Sequence, residues 1–486
     1  MEETKEKEGA PKARKAGRRW KICYIAAVVG ICLIPFAAIG FRATTQTTEN
    51  KRLAELPVLT DENGVNQSFL ADAGEWFADH FAFRQELVAA DAKIRSALFG
   101  VSAADNVIQG KNGWLYYEAT LDDFQHRNGV SERMLFNMAH NMALMQEYTQ
   151  LLGKTFVFTI APNKNSLYGE NMPERYKHTI ADKSDAERLI PWLEKEGVNY
   201  VDLFSLFEGQ DEVLYYARDS HWNQKGALLV YNALLDACSV EHDTWETEAY
   251  DIVCDYYGDL NRMLYPVWAR PEDDIHFERA FTYRYGRDGV TVEDTLIQTS
   301  CEQRELNLLM YRDSFGNSLL PYMAEQFANA TFSKVVPYPM TDLVTAEPDV
   351  VIVEKVERHL PTLGEVPPLM SAMARRLEGE IVPVQSGASF SVKKEGSYLK
   401  MSGIVQETYM EPEGKIYVEV DDGEGASCYE AFCVRLTENG TSSDYGYLLY
   451  LSGIAVKGEE LTVRVLTGQQ DRLVALYEGR AENPLQ

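Results

Sequence analysis

The 486-residue sequence is short of cysteine and lacks any metal spacing. Its seven cysteines, at 23, 32, 238, 254, 301, 428 and 433, include no CxxC pair, and its eight histidines include no HExxH. No metal and no cofactor are therefore expected. The five cysteines beyond residue 41 cannot all pair and are too sparse for a disulfide scaffold. Cys428 and Cys433 are the local candidates for a bridge. Basic residues are also in deficit: Lys plus Arg is 47 against 74 Asp plus Glu, a net charge of −27. Such a chain is a poor partner for nucleic acid, where binding runs on phosphate neutralisation. Long apolar runs are absent but for one, which excludes a multi-span membrane protein. A composition of 45% hydrophobic and 25% charged residues excludes disorder over most of the length.

The single run is residues 22–41, twenty residues without a charge. As a helix it spans about 30 Å, the thickness of the hydrocarbon core. It is expected to be a retained transmembrane anchor rather than a cleaved signal. Residues 1–21 hold eight basic and four acidic side chains. The positive-inside rule places this tail in the cytoplasm and the rest outside the cell membrane. Residues 42–486 carry 39 basic and 70 acidic side chains, a net of −31. That surplus accommodates a neutral or weakly charged polymer more easily than a dense polyanion.

Residues 42–109 read as a polar tether and a helical lead-in, with helical apolar spacing over 66–99. Asn112-Gly113 has the residue types of a tight hairpin turn. Between about 110 and 365, apolar strands alternate with helices: FVFTI (156–160), NYVDLF (199–204), NLLMY (307–311), KVVPY (334–338) and DVVIVE (349–354). Helices are expected near 131–152, 184–196, after Trp222, and over 317–328. This alternation predicts a parallel sheet covered on both faces, an α/β/α three-layer domain. Residues 239–305 break the pattern and read as an insertion. From 380 to 486, strands at regular intervals predict a separate all-β sandwich.

Two segments carry chemistry. Asp219-Ser220-His221-Trp222 lies just before a helix, and an Asp two residues from a His can orient its imidazole. Its bland alternative is a helix cap with a packed His. Arg312-Asp313-Ser314-Phe315-Gly316-Asn317 follows an apolar strand directly and precedes a helix. A Ser at such a turn is presented at the carboxyl end of the sheet, where ligands of open α/β sheets bind. The free N–H groups there can hold an oxyanion. The bland alternative is an N-cap. Together the segments supply a nucleophile, a base and an orienting carboxylate.

At these residues the sequence resembles the bacterial DHHW proteins and the alginate O-acetyltransferase-like, SGNH-hydrolase-like proteins. Further blocks agree in order: Glu49-Asn50-Lys51-Arg52 with Pro57, EWFADHFAFRQEL (75–87), Gly110–Tyr116, Pro162-Asn163-Lys164 through Pro173, and Gly258-Asp259-Leu260 with Met263-Leu264. The resemblance spans about residues 49–360. It implies an SGNH-like fold in which Ser314 is the nucleophile, His221 the general base and Asp219 its partner. Arg312, Asn163, Lys164, Asn317 and Trp222 are the candidates for lining the pocket; the alternatives are a solvated loop for Asn163 and Lys164, and packing under His221, the favoured reading, for Trp222. Two departures are Ser220 within the first motif and Arg312 before Asp-Ser.

The implied activity is O-acetylation of a cell-surface or secreted polysaccharide, with a membrane-bound O-acyltransferase as the partner supplying acetyl groups. An acetylesterase with the same triad, and a non-catalytic polysaccharide-binding scaffold, are the alternatives. By analogy with related acetyltransferases the β domain is a candidate carbohydrate binder.

Overall fold

The computed structural model describes residues 11–42, 53–61, 64–127, 129–383, 386–469 and 472–485. The Glu49–Arg52 block of the resemblance lies outside these residues. The chain forms two compact units: residues up to Gln109 with Tyr257–Glu272, and Gly110–Tyr256 with Asp273–Gln486.

In the first unit, helix Pro11–Arg42 contains the apolar run Trp20–Phe41, with mean hydropathy 2.6. It is long and apolar enough to cross a bilayer, as an anchor or as a signal sequence. The lead-in is two helices, Phe69–His80 and Arg84–Phe99, broken where Phe83 takes a positive φ of 62°.

The second unit is built on a seven-stranded sheet. Its strands are β1 (Thr155–Ala161), β2 (Tyr200–Val201), β3 (Arg284–Tyr285), β4 (Leu296–Ser300), β5 (Asn307–Tyr311), β6 (Asn329–Ser333) and β7 (Val350–Val356). The order is β2-β1-β7-β5-β6-β4-β3. The first five are parallel, while β4 pairs antiparallel to β6 and β3 antiparallel to β4. Alternate side chains feed two cores. Phe156, Phe158, Leu309, Tyr311 and Val351 join Met134, Met138, Leu189 and Leu193 from helices Glu132–Leu151 and Asp185–Lys195. Val157, Leu308, Met310 and Ile352 join Val230, Leu234, Leu319 and Met323 from helices Gln224–Ala237 and Gly316–Gln326. Two apolar faces on each strand require helices on both sides. The result is the expected three layers.

Three elements differ from the sequence reading. NYVDLF supplies only a two-residue strand, because Asp202 caps helix Leu203–Glu208 by accepting from the Phe204 and Ser205 N–H groups. The strand expected at 334–338 sits at 329–333 instead. Pro337 and Pro339 lack the N–H that a ladder needs. The 239–305 segment is only partly an insertion: it contributes β3 and β4 to the sheet and carries a hairpin of Tyr250–Tyr256 with Glu272–Phe277.

The C-terminal strands form a six-stranded and a four-stranded sheet. They share a core of Leu399, Met401 and Leu449 against Val418, Val463 and Val465. This is a sandwich. Its four-stranded sheet turns Phe432, Val434, Leu448 and Tyr450 the other way, onto helix Glu132–Leu151. Asn141 on that helix bonds the Cys433 carbonyl at 3.0 Å and accepts from its N–H at 3.2 Å. All seven cysteines are free, so the Cys428–Cys433 bridge is not formed; buried Cys433 is engaged with Asn141 through its backbone.

Candidate active site

The Ser314 turn begins where β5 ends. Helix Gly316–Gln326 starts two residues after Ser314. Gly316 is forced by crowding: a Cβ there would lie 2.7 Å from Arg312 Cβ and 3.2 Å from a Glu354 carboxyl oxygen. Acids collect the backbone N–H groups of this turn. Asp313 accepts from Phe315 at 3.0 Å and from Val356, the last residue of β7, at 2.7 Å. Glu354 accepts from the Asp313 N–H at 3.0 Å. Burial, with the Asp313 carboxyl beside it, pushes the Glu354 carboxyl well above its usual range. The Ser314 N–H has no acceptor among the described residues. It is therefore available to an oxyanion.

The second loop runs from Tyr215 to Trp222, which are bridged to each other, with the Tyr216 N–H on the His221 carbonyl at 3.3 Å. Buried Lys164 holds it from behind, donating to the carbonyls of Tyr216 at 3.2 Å, Ala217 at 3.1 Å, and Asp219. Asp219 Oδ1 accepts from the His221 N–H at 2.9 Å and lies 2.7 Å from His221 Nδ1. With Nδ1 protonated toward Asp219, Nε2 is the acceptor, and it stands 2.9 Å from Ser314 Oγ. The imidazole meets Phe315 edge-on at 4.7 Å. Trp222 is buried and donates to Ser318 Oγ at 2.6 Å, which couples this loop to helix Gly316–Gln326.

Ser314, His221 and Asp219 are thus one hydrogen-bonded series assembled from two loops at the carboxyl end of the sheet. A fourth member, Tyr256, comes from the hairpin. Its hydroxyl donates to Asp219 Oδ2 at 3.0 Å, and its ring stacks on Tyr216 at 3.8 Å. Tyr216 in turn donates to Asp274 on the facing strand at 2.6 Å. Nothing around Tyr256 in the sequence marked it, since its strand is mostly exposed and sits in the segment read as an insertion.

A cavity of about 300 Å³ opens beside Ser314, lined by Arg312, Asp313, Lys334, Val336, Tyr338, Glu354, Lys355 and His359. Of the five expected lining residues, only Arg312 is among these. Its guanidinium donates to the Asp313 and Val292 carbonyls and to Asn317, whose amide donates to Glu293 at 2.9 Å. Asn163, Lys164 and Trp222 are buried supports instead. The Asn163 N–H reaches Glu357 at 2.8 Å and its amide reaches Asp123 at 3.1 Å. Burial pushes these carboxyls up, Glu357 to about 7 and Asp123 to about 6. Short side chains at a strand end suggest lining from sequence, but only the packed loops decide which way they face.

Residues 107–300 match the family model described as SGNH hydrolase-like domain, acetyltransferase AlgX. Over these residues the chain is similar to an SGNH hydrolase-like domain of this acetyltransferase family. No curated protein matches the sequence. Among solved structures, Bacillus cereus PatB1 is similar at 15% identity and a TM-score of 0.41, over 52% of this chain and 96% of that one. A DHHW family protein from Eubacterium siraeum is similar at 13% identity and a TM-score of 0.38, over 52% and 91%. Pseudomonas aeruginosa AlgX gives 13% identity and a TM-score of 0.35, over 75% and 94%.

Proposed function

We propose that the protein is a membrane-anchored, extracytoplasmic O-acetyltransferase acting on a cell-surface or secreted polysaccharide through an acetyl-Ser314 intermediate. The observation that supports this reading best is the series Ser314 Oγ, His221 Nε2, His221 Nδ1 and Asp219, with links of 2.9 and 2.7 Å. In the first half-reaction Ser314 Oγ gives its proton to His221 Nε2 and bonds to the acetyl carbon of the donor. The tetrahedral oxyanion takes the Ser314 N–H, and Asp219 stabilises the imidazolium. The donor's leaving oxygen departs with the proton from His221. In the second half, a sugar hydroxyl gives its proton to Nε2 and bonds to the acetyl carbon. The Ser314 Oγ–carbon bond then breaks and the proton returns to Ser314.

Helix Pro11–Arg42 serves in this reading as a single-pass anchor with its basic end in the cytoplasm. It keeps the site near a membrane-bound O-acyltransferase that supplies acetyl groups. The test is turnover of a chromogenic acetyl ester by the detergent-solubilised chain, with and without short glycan acceptors, followed by mass spectrometry. Acetylated glycan is expected, falling at least about 10³-fold in Ser314→Ala and His221→Ala. Free acetate with every acceptor would replace the transferase by an esterase. Turnover that ignores both substitutions would remove the enzymatic reading.

A further inference from the structure

The cavity beside Ser314 has a lining unlike the rest of this acidic chain. Three basic side chains, Arg312, Lys334 and Lys355, stand in its wall with His359, against the acids Asp313 and Glu354. Most of these groups are already committed. Arg312 is held by two carbonyls and Asn317. Lys334 bonds Glu293 at 3.0 Å and the Val292 carbonyl at 3.2 Å. Asp313 uses both oxygens on backbone N–H groups, and Glu354 accepts from the Asp313 N–H at 3.0 Å. Lys355 differs. It is 6% exposed, yet its ammonium has no hydrogen bond or ion pair among the described residues, only the Tyr338 ring at 5.8 Å. A buried ammonium without a hydrogen bond is costly, and burial lowers its pKa, with the Asp313 and Glu354 carboxyls only partly opposing that. The remaining wall, Val336 and Tyr338, is apolar enough to strengthen any charge interaction formed there.

We propose that this cavity is an anion subsite in which Lys355 binds a carboxylate or phosphate group carried by a molecule that reacts at Ser314. The placement of the ligand's reacting end rests on the acyltransferase reading; the anion binding does not. The subsite selects substrates by one local charge, although the chain as a whole is acidic.

The test is calorimetric titration of the solubilised full chain with inorganic phosphate, methyl β-glucuronide and neutral methyl β-glucoside. One of the anions is expected to bind at least about tenfold more tightly than the neutral glycoside. Lys355→Met should abolish that preference, and Lys355→Arg should keep it within about threefold, which separates lost charge from lost fold. Binding should persist in Ser314→Ala, so a failed acyltransferase assay leaves this result readable. Tighter phosphate binding would assign the subsite to a phosphorylated ligand, and tighter glucuronide binding to a carboxylated sugar. Equal affinity for the neutral glycoside, no binding of either anion, or unchanged binding in Lys355→Met would overturn the proposal.

Discussion

The two loops that meet at the site are held by opposite chemistry. The Tyr215–Trp222 loop turns its carbonyls inward, and one buried cation, Lys164, gathers three of them. The Arg312–Gly316 turn directs N–H groups inward, and two acids, Asp313 and Glu354, gather those. A buried ammonium can only donate, whereas a carboxyl group in either protonation state has an oxygen that accepts, so each loop's backbone polarity matches its anchor. The lesson is that a buried charge next to a catalytic residue need not act on substrate. Lys164 supports the loop that carries His221, as Asp313 supports the turn that carries Ser314.

Removing the cation should separate the loops most sharply. Lys164→Met leaves the Tyr216 and Asp219 carbonyls short of donors, while Ala217 keeps the Leu115 N–H at 2.8 Å. Acyl transfer should fall about 10²-fold through kcat, with fluorophosphonate labelling of Ser314 slowed in parallel. Full labelling with full turnover would dismiss the anchoring role.

A buried acid elsewhere provides a control for charge anchoring. Burial alone would raise Glu430, but His140 at 3.3 Å, Lys415 at 3.4 Å and Arg375 outweigh it and hold it at about 2. A depressed carboxylate stabilises the fold above its unfolded value near 4.5. That contribution, about 3 kcal/mol, is lost as the pH falls through 2. Urea midpoints at pH 7 and pH 3 should fall in the wild type and change less in Glu430→Gln.

Tyr256→Phe tests a neutral partner of the base loop. Losing one donor to Asp219 Oδ2 should lower kcat about three- to tenfold with KM unchanged, and should shift the acid limb of the pH–rate profile. A change in KM alone would mean that Tyr256 touches substrate instead.

The smallest effect is expected at Glu354. The Glu354 carboxyl is pushed well above its usual range, and Gln keeps an oxygen that can accept from the Asp313 N–H in its place. A raised acid keeps its proton in the native state while the unfolded chain releases it above about pH 4.5, so the wild type loses stability as pH rises. Glu354→Gln should therefore raise Tm by about 2–4 °C at pH 8 and less at pH 5, with activity held within about threefold. An equal gain at both values would show that the carboxyl is ionised.

The parts of the site legible in the sequence were those whose partners are sequence neighbours. Asp219 and His221 sit two residues apart, and Ser314 follows a buried strand directly, so local spacing pairs the first two and places the third at a strand end. Tyr256, Glu354, Lys355 and His359 reach the same region from a hairpin and from the end of β7. No short window contains both them and the residues they meet. The strand errors have a similar cause: FVFTI and NLLMY are buried on both faces and read plainly, whereas the apolar run in NYVDLF is overridden by one capping side chain and KVVPY by its proline.

Helix Glu132–Leu151 also fixes an order of events. It is an early element of the central domain, but one of its faces rests on Phe432, Val434, Leu448 and Tyr450, some three hundred residues later in synthesis. Until those strands emerge, that face has nothing to cover it. Helix Glu132–Leu151 therefore cannot be fully packed in a nascent or nicked chain that ends before them. A protease cut between the sheet and the sandwich would strip the helix of half its shelter rather than release a working enzyme from a dispensable tail.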